Sequence, residues 1–556
     1  MRRVLLIPSV VLLILFITCY VFSARPFFAP PSARPIVIAT LDDIKTLDTG
    51  KMSWANDIRV AMALWEGLTV YDIDHNLKPV PGAAEKWEIS EDRKTYTFHL
   101  RPSGRWSNGD PVTANDFIFA WKRALDPVTG ADYIGLLKDI KGAEDYTAAM
   151  EKRKPDDPPP PDPAGIRKID NLTLQVQLSD PCTYFLDLVA MPVFFPMHQK
   201  SMASFLMKDP TQGYDEAFTQ PPNLVTNGAF KLTEWRIKQS LTLEPNTYYW
   251  DAGNVHCAQL VVRPISDMRM AFMLYESGDV DLMTFLPREF ADTMVVQHDR
   301  EGKWPELHHT TVFGTYYYIF NVTRKPFDDK RVRKALAMAI DRRKIVEILN
   351  TGEEALGLIV PPGTISGYKS PAELPYDVEG ARKLLADAGY PGGKGLKSIE
   401  LLYNMESFHP RIAQAMGQMW QTELGVSVTY RGLERGSFGK ARRDDHDFDL
   451  ARGGWYGDYP DPTTWLDLFR KDDGNNDGKF ASKDYDDLMM QSDKEADPAR
   501  RFLLLKKAEE MIVSDEVPFL PLYQYADGFI YDEKKLKGAE LNNRVLTQLK
   551  WIRREK

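Results

Sequence analysis

The chain has 556 residues and a formal net charge of -9 at pH 7. Its length predicts several domains, because one hydrophobic core seldom serves more than about 250–300 residues. The acidic balance argues against nucleic acid as a partner, since a protein that binds phosphates needs a basic surface.

The N-terminal segment predicts export. Arg2 and Arg3 precede the apolar run Val4–Phe22, and because basic residues stay in the cytoplasm, the remainder is expected in the periplasm or otherwise outside the cell's interior. Two interpretations stay open for residues 1–34. They form either a signal peptide that is cleaved, or a membrane anchor through residues 4–22 followed by a proline-rich tether.

Strand signals dominate the next part of the chain. Strands are predicted at 35–41, 94–100 and 172–178, and helices at 56–67 and 113–124. The two later strands alternate apolar and polar residues with a period of two. Thr113 is expected to cap its helix, with Asp116 at the third position. The proline-rich stretch 154–163 is interpreted as a surface loop rather than as a ligand for a recognition domain.

The second half alternates strands with helices. Strands are predicted at 315–322, 399–403, 426–430, 448–451 and 519–523, and helices at 329–349, 379–388, 411–424, near Phe438 and at 499–513. This alternation indicates an open α/β sheet, in which ligands bind beyond the carboxyl ends of strands. The segment 452–461 follows the predicted strand 448–451 at that end, and it is therefore the candidate ligand loop.

The sequence contains few motifs that indicate catalysis or metal binding. The chain has no phosphate-binding loop and no nucleophile elbow, so no catalytic residue, cofactor or metal site is predicted. The histidine pair at 308–309 is interpreted as ordinary loop or edge-strand residues. Asp458 and Asp461 allow three interpretations: an acid–base pair of a hydrolase, a helix start at Asp461, or capture of a ligand ammonium group. Cys182 and Cys257 form either a disulfide or two buried thiols.

Several motifs in order carry a resemblance to a known family. They are Leu64-Trp-Glu-Gly-Leu68, Trp106-Ser-Asn-Gly-Asp-Pro-Val-Thr-Ala-Asn-Asp-Phe117, Val225-Thr-Asn-Gly-Ala229, Val332-Arg-Lys-Ala-Leu336 with Ala339-Ile-Asp-Arg342, and Ala451-Arg-Gly-Gly-Trp-Tyr-Gly-Asp-Tyr459. The chain resembles the peptide-binding proteins of bacterial oligopeptide and dipeptide ABC importers, the family 5 extracellular solute-binding proteins. Only the first 34 residues and the proline-rich insert fall outside the resemblance.

The resemblance implies an α/β fold of the two-lobed periplasmic-binding-protein class (type II, cluster C), with a hinge and an additional α+β domain. The implied division is 35–65, 197–313 and 527–556 for lobe I, 66–196 for the additional domain, and 314–526 for lobe II. It also implies a monomer without enzymatic activity that closes on a short peptide and then docks on a membrane permease.

The same resemblance implies the site residues. Asp458 is expected to pair with the α-amino group of the ligand, assisted by Tyr133, and Arg452 with its carboxylate. Backbone at 54–55 and 454–456 would bond the ligand as an added strand. The expected ligand-binding residues are Trp54, Ala55, Tyr133, Phe285, Tyr317, Arg443, Arg452, Gly454, Trp455, Tyr456 and Asp458. One departure concerns Gly314 and Tyr456, because some oligopeptide binders carry a cysteine at both positions.

Other functions remain open beside peptide import. The ligand of a binding protein of this kind is alternatively a nickel chelate, a haem, a murein peptide or an oligosaccharide. A membrane-anchored sensor of peptides would share the same cleft. A hydrolase that uses Asp458 and Asp461 is the remaining alternative.

Overall fold

The computed structural model describes residues 34–72, 77–154, 157–209, 212–287, 291–406 and 408–555. The expected signal peptide or anchor lies outside these residues. Among the helices of the described chain, none is long and apolar enough to cross a membrane.

The elements are numbered here in chain order. The strands are β1 Ile36–Thr40, β2 Thr69–Asp72, β3 Lys78–Pro81, β4 Ala84–Ile89, β5 Thr95–Leu100, β6 Ile166–Asp170, β7 Thr173–Gln177, β8 Phe230–Arg236, β9 Ser240–Pro245, β10 Leu260–Pro264, β11 Leu282–Met283, β12 Leu307–Phe320, β13 Glu354–Ala355, β14 Ile399–Asn404, β15 Val428–Leu433, β16 Leu450–Tyr456, β17 Phe519–Ile530, β18 Leu536–Lys537 and β19 Arg553–Arg554. The α-helices are α1 Ala55–Leu64, α2 Ala114–Leu125, α3 Ala143–Glu151, α4 Phe185–Leu188, α5 Gln199–Met202, α6 Met268–Glu276, α7 Ala291–Glu301, α8 Lys330–Met338, α9 Arg342–Leu349, α10 Val378–Asp387, α11 His409–Leu424, α12 Arg435–Gly439, α13 Thr463–Leu466, α14 Lys483–Lys494 and α15 Pro498–Glu510.

One mixed sheet runs through the molecule. Its order is β15-β14-β16-β12-β17-β11-β1-β10-β9-β8, with β13 paired to β17. We call β1 and β8–β11 the first half-sheet, β14–β16 the second half-sheet, and β12 with β17 the crossing strands. The antiparallel pairing of the crossing strands shifts register between Thr311 and Thr315, so the ladder is interrupted where the chain passes from one half-sheet to the other.

The part before the second half-sheet has its own antiparallel sheet, in the order β4-β5-β7-β6. Helix α2 starts as predicted, because the carboxylate of Asp116 accepts hydrogen bonds from the backbone N–H of Thr113 at 2.8 Å and from its hydroxyl at 3.0 Å. Trp121 of this helix is fully buried against Phe194, and it belongs to the same apolar core as the first half-sheet.

Four predicted elements differ from the structure. The predicted helix 329–349 is two helices, because the backbone leaves the helical region at Asp341, where ψ is 95°. The predicted strand 448–451 continues to Tyr456, so most of the candidate loop is the strand β16. The predicted strands 315–322 and 519–523 are parts of the longer crossing strands, whose remaining residues are too polar to alternate clearly.

Both cysteines outside the N-terminal segment are buried and free, so Cys182 and Cys257 do not form a disulfide. Burial raises the pKa of the Cys257 thiol to about 11, which keeps it protonated at neutral pH. The described part of the proline-rich insert, Lys154 and 157–163, contains neither helix nor strand, in agreement with its interpretation as a loop.

Candidate ligand cleft

A cavity of about 690 Å³ lies between the first half-sheet and the second. Its volume is typical of sites that enclose small molecules. The lining residues are Leu41, Met268, Phe285, Leu286, Ala291, Thr351, Glu353, Asn404, Glu406, Phe408, His409, Arg435, Phe438, Gly439, Arg442, Arg443, Arg452, Gly454, Tyr456, Tyr523, Tyr525, Ala526 and Asp527. Apolar side chains come mainly from the first half-sheet side, and the arginines come from the second.

The arginines of the cavity differ in their partners. Arg442 forms an ion pair with Asp477 at 2.8 Å and donates a hydrogen bond to the carbonyl of Arg452 at 3.1 Å. Arg452 donates instead to the hydroxyl of Tyr525 at 2.9 Å, and its guanidinium lies 5.0 Å from the ring centre of Tyr316. No carboxylate of the described chain lies within 4.0 Å of the Arg452 guanidinium. Its charge is therefore not neutralised by an internal acid such as Asp458.

Aromatic rings pack closely against Gly454 in β16 and against Gly457 directly after the strand. A Cβ atom on Gly454 would lie 2.3 Å from the hydroxyl of Tyr525, the group that holds Arg452. A Cβ atom on Gly457 would lie 2.2 Å from the ring of Phe313. A side chain at either position would displace an aromatic residue of the crossing strands, so both positions require glycine.

One edge of β16 is open toward the cavity. On one side β16 pairs with β12 along its whole length, from Leu450 to Tyr456. On the other side β14 pairs only with Leu450 and Ala451. Within the described chain, no strand pairs with residues 452–456 on that side, so an extended ligand has access to this backbone.

Asp458 is the second residue after β16 and is partly buried. Its carboxylate accepts a hydrogen bond from the hydroxyl of Tyr133 at 2.8 Å. Its backbone N–H donates to the hydroxyl of Thr464 at 3.1 Å, which fixes the turn. In the described residues, no Lys or Arg nitrogen lies within 4.0 Å of this carboxylate. Burial raises the pKa of Asp458 to about 6, although the Tyr133 hydrogen bond and the more distant Arg544 act to lower it.

Asp461 lies three residues further along and has a complete set of partners. Its carboxylate pairs with both terminal nitrogens of the Arg501 guanidinium, one of them at 2.9 Å. It also accepts hydrogen bonds from the hydroxyl of Thr463 at 2.7 Å and from the Thr463 backbone N–H at 3.1 Å. Only 1% of Asp461 is exposed. This side chain holds α13 against α15 and is not available as one member of an acid–base pair.

The structure places five of the eleven residues expected at the site in the lining of the cavity. Those that line the cavity are Phe285, Arg443, Arg452, Gly454 and Tyr456. Trp455 projects to the other face of β16 and donates from its indole N–H to the hydroxyl of Thr464 at 3.3 Å, which also binds the backbone of Asp458. Trp455, Tyr133 and Asp458 therefore form a second group beside the cavity.

Trp54 and Ala55 stand at the exposed start of α1, on the first half-sheet side. The Trp54 ring has the ammonium of Lys45 at 2.8 Å from its centre and the guanidinium of Arg435, a cavity residue, at 5.7 Å. The cation–π contact with Arg435 joins the two sides of the cleft. Tyr317 is placed elsewhere: its ring is buried in the core of the second half-sheet against Phe519.

Tyr456 gives the cavity an aromatic wall. Its ring stacks on Tyr525 with ring centres 4.7 Å apart and planes 9° apart. A Cβ atom on Gly314 would lie 2.8 Å from the Tyr456 ring, so this glycine makes room for the stack. Tyr525 was not expected at the site, because the predicted strand ended at residue 523. Continued alternation from Tyr523 was the signal that could have found it.

The chain is similar to known proteins over most of its length. Residues 78–477 match the family of bacterial extracellular solute-binding proteins, family 5 Middle. The oligopeptide-binding protein OppA of Bacillus subtilis (strain 168) is 36% identical over 487 residues, which are 85% of this chain and 84% of OppA.

Two solved structures extend the comparison. An unliganded open form of the periplasmic murein tripeptide-binding protein MppA has a TM-score of 0.78 and 30% identity, over 93% of this chain and 96% of MppA. OppA of Haemophilus influenzae, in complex with the peptide RPPGFSPFR, has a TM-score of 0.73 and 30% identity, over 94% of this chain and 99% of OppA.

Proposed function

The chain belongs to the family 5 bacterial extracellular solute-binding proteins, and we propose that it is the peptide-binding component of an ABC importer. Members of this family are binding proteins, which confirms the prediction that the chain is not an enzyme. Its architecture is that of the periplasmic binding proteins, as predicted.

The carboxylate of Asp458 is the single observation that carries the proposal. A buried charge without a partner costs several kcal/mol in principle, so proteins pair such groups or neutralise them. Asp458 has one neutral donor, Tyr133, and a pKa raised to about 6. An ammonium group from outside the chain would complete the site. The α-amino group of a peptide is such a group, and it is positively charged up to a pH of about 7.7–8.

The open edge of β16 supports a peptide rather than a simple amine. Residues 452–456 offer backbone groups to an extended ligand, and such hydrogen bonds give affinity without requiring a particular ligand sequence. Arg452, which has no internal carboxylate partner, would receive the carboxylate of a ligand that lies along this edge. From Arg452 to Asp458 an extended backbone spans at most about 20 Å, which fits a short peptide.

We propose that the two halves close on the ligand about the crossing strands. The interrupted pairing between Thr311 and Thr315 provides the flexible point. The proposed division is lobe I at 35–65, 197–313 and 527–556, the additional domain at 66–196, and lobe II at 314–526. The protein would act as a monomer outside the cytoplasm and deliver the ligand to a membrane permease.

A peptide with additional carboxylates is a second candidate ligand. Arg443 lines the cavity and is exposed, and Arg435 contacts the cavity from the second half-sheet side. Together with Arg452 they place three arginines at the cavity, which Glu353, Glu406 and Asp527 also line, and a ligand with several carboxylates would have more than one of these arginines to pair with. The similarity to MppA, whose name specifies a murein tripeptide, agrees with this candidate.

Native mass spectrometry of the protein purified from its own cells tests the proposal. We expect additional mass that is released as short peptides on activation, and fragment spectra would show whether these carry extra acidic groups. The proposal would be contradicted if the purified protein carried no peptide and also showed no binding of a mixture of short peptides in calorimetry.

A further inference from the structure

Three side chains that bind metals well lie together outside the lining of the cleft. His298 and Asp299 belong to α7 and His309 to β12, and one potential ligand atom of each lies within 4.8 Å of the others. The Asp299 carboxylate is 3.0 Å from Nε2 of His309, and the two imidazole centres are 5.6 Å apart. Two imidazoles and one carboxylate suit zinc and the neighbouring first-row metals, and they suit magnesium or calcium poorly.

The ring of His298 is already oriented for a metal. Its Nδ1 lies 3.1 Å from the carbonyl oxygen of Trp304. Because a carbonyl can only accept, the neutral ring carries its proton on Nδ1, and Nε2 keeps a free lone pair. Metal-bound histidines usually have this contact between the second nitrogen and a carbonyl.

The turn after α7 builds that contact. The N–H of Gly302 donates to the carbonyl of His298 at 3.1 Å, and the indole N–H of Trp304 donates to the Gln297 side chain at 2.9 Å. Trp304 itself has a φ of 56°, a backbone conformation that is uncommon for a residue with a large side chain. A surface ion pair between His309 and Asp299 would not require any of these features.

The ring of His309 is fixed from the other side. A Cβ atom on Gly352 would lie 3.0 Å from its Nδ1 and 3.4 Å from Cβ of Ala526. Glycine at 352, with a φ of 95°, therefore lets the loop from the second half-sheet approach the ring and leaves the Nε2 edge to Asp299. The side chain of Asp299 is 52% exposed, so an ion can enter from solvent.

We propose that His298, Asp299 and His309 bind a divalent metal ion of the zinc class, with water as the fourth ligand. In a tetrahedral site with bonds of about 2.1 Å, neighbouring ligand atoms are about 3.4 Å apart. The contact between Asp299 and His309 therefore widens by a few tenths of an ångström as the ion takes the place of a hydrogen on Nε2 of His309, and the neutral ring then carries its proton on Nδ1. The ion would join α7 to the crossing strand β12.

Calorimetric titration of the tag-free, full-length protein with Zn²⁺ alone tests this proposal. We expect one site per chain, no comparable binding of Mg²⁺, and an affinity lower by about tenfold or more in each of His298→Ala, Asp299→Asn and His309→Gln, because even outer contacts of metal sites contribute about 10–100-fold. Thermal unfolding of each variant would show that it folds.

His308→Ala is the matched control. His308 is adjacent on β12, but its ring stacks on Tyr531 at 4.0 Å between centres, away from the cluster. This variant should retain the wild-type affinity for Zn²⁺. The proposal would be overturned by absence of Zn²⁺ binding in the wild type, by unchanged binding in the three cluster variants, or by equal loss in His308→Ala.

Discussion

Asp458 and Asp461 stand three residues apart on one loop, and their surroundings are opposite. Asp461 has a bidentate arginine and a threonine, all supplied by the chain. The Asp458 carboxylate has one tyrosine hydroxyl and no Lys or Arg nitrogen within 4.0 Å among the described residues, and the Arg544 guanidinium donates to the Asp458 backbone carbonyl at 3.3 Å. Asp461 is fully buried and its carboxylate has a complete set of partners, whereas Asp458 is partly buried and its carboxylate has one neutral donor. This difference is the reason that we assign Asp461 to stabilising the fold and propose that Asp458 pairs with the ligand.

Removing the charge of Asp461 should have the largest effect. In Asp461→Asn the guanidinium of Arg501 stays buried without a carboxylate, which typically costs about 3–5 kcal/mol. We expect a clear fall in the urea midpoint of unfolding, together with little change in peptide affinity for the fraction that remains folded. An unchanged midpoint would show that the charge of Asp461 contributes no more to the stability of the fold than the charge of Asp458.

Removing the charge of Asp458 should stabilise the empty protein. Raising the pKa from 3.8 to about 6 corresponds to a cost of about 1–3 kcal/mol at pH 8. The native state binds the proton more tightly than the unfolded state, so this cost is present above pH 6 and disappears as the pH falls below 4. Peptide-free Asp458→Asn should therefore melt higher than the wild type at pH 8, and the difference should shrink near pH 4. A lower melting temperature at pH 8 would be evidence for an internal partner.

The charge of Asp458 should also make peptide affinity depend on pH. The free carboxylate has a pKa of about 6, and pairing with an ammonium group lowers that pKa, so binding favours the deprotonated form. From pH 7 to pH 5 we expect affinity to fall about tenfold, while the peptide amine stays protonated. Calorimetry at both values checks this result, with Asp458→Asn as the control that should show no such slope.

The smallest effect concerns Tyr133. Its hydroxyl lies 2.8 Å from the Asp458 carboxylate and stabilises the charged form. Tyr133→Phe should weaken peptide binding at pH 7 by about 1 kcal/mol and move the midpoint of the pH dependence above 6. Tyr214→Phe is the matched control, because Tyr214 is also partly buried and packs on Phe119. If both variants lost the same peptide affinity, the loss would come from altered packing and not from the hydrogen bond to Asp458.

The sequence predicted the positions of Asp458 and Tyr133 through the resemblance, and the structure places them in contact. It did not reveal the role of Asp461, because its partner Arg501 lies 40 residues away and leaves no local pattern. Tyr317 was expected at the site through the resemblance, and because three tyrosines follow one another in β12, a period of two alone could not assign it to a face of the sheet. The structure orients Tyr316, not Tyr317, toward Arg452.

The most direct test is a thermodynamic cycle between Asp458 and the α-amino group of the ligand. A peptide that binds the wild type is compared with its N-acetylated form, in the wild type and in Asp458→Asn, by calorimetry at pH 7. We expect acetylation to weaken binding to the wild type by about 100-fold, roughly 2.7 kcal/mol, and to have little effect on the variant. Equal effects of acetylation on both proteins would show that Asp458 does not bind the amino group.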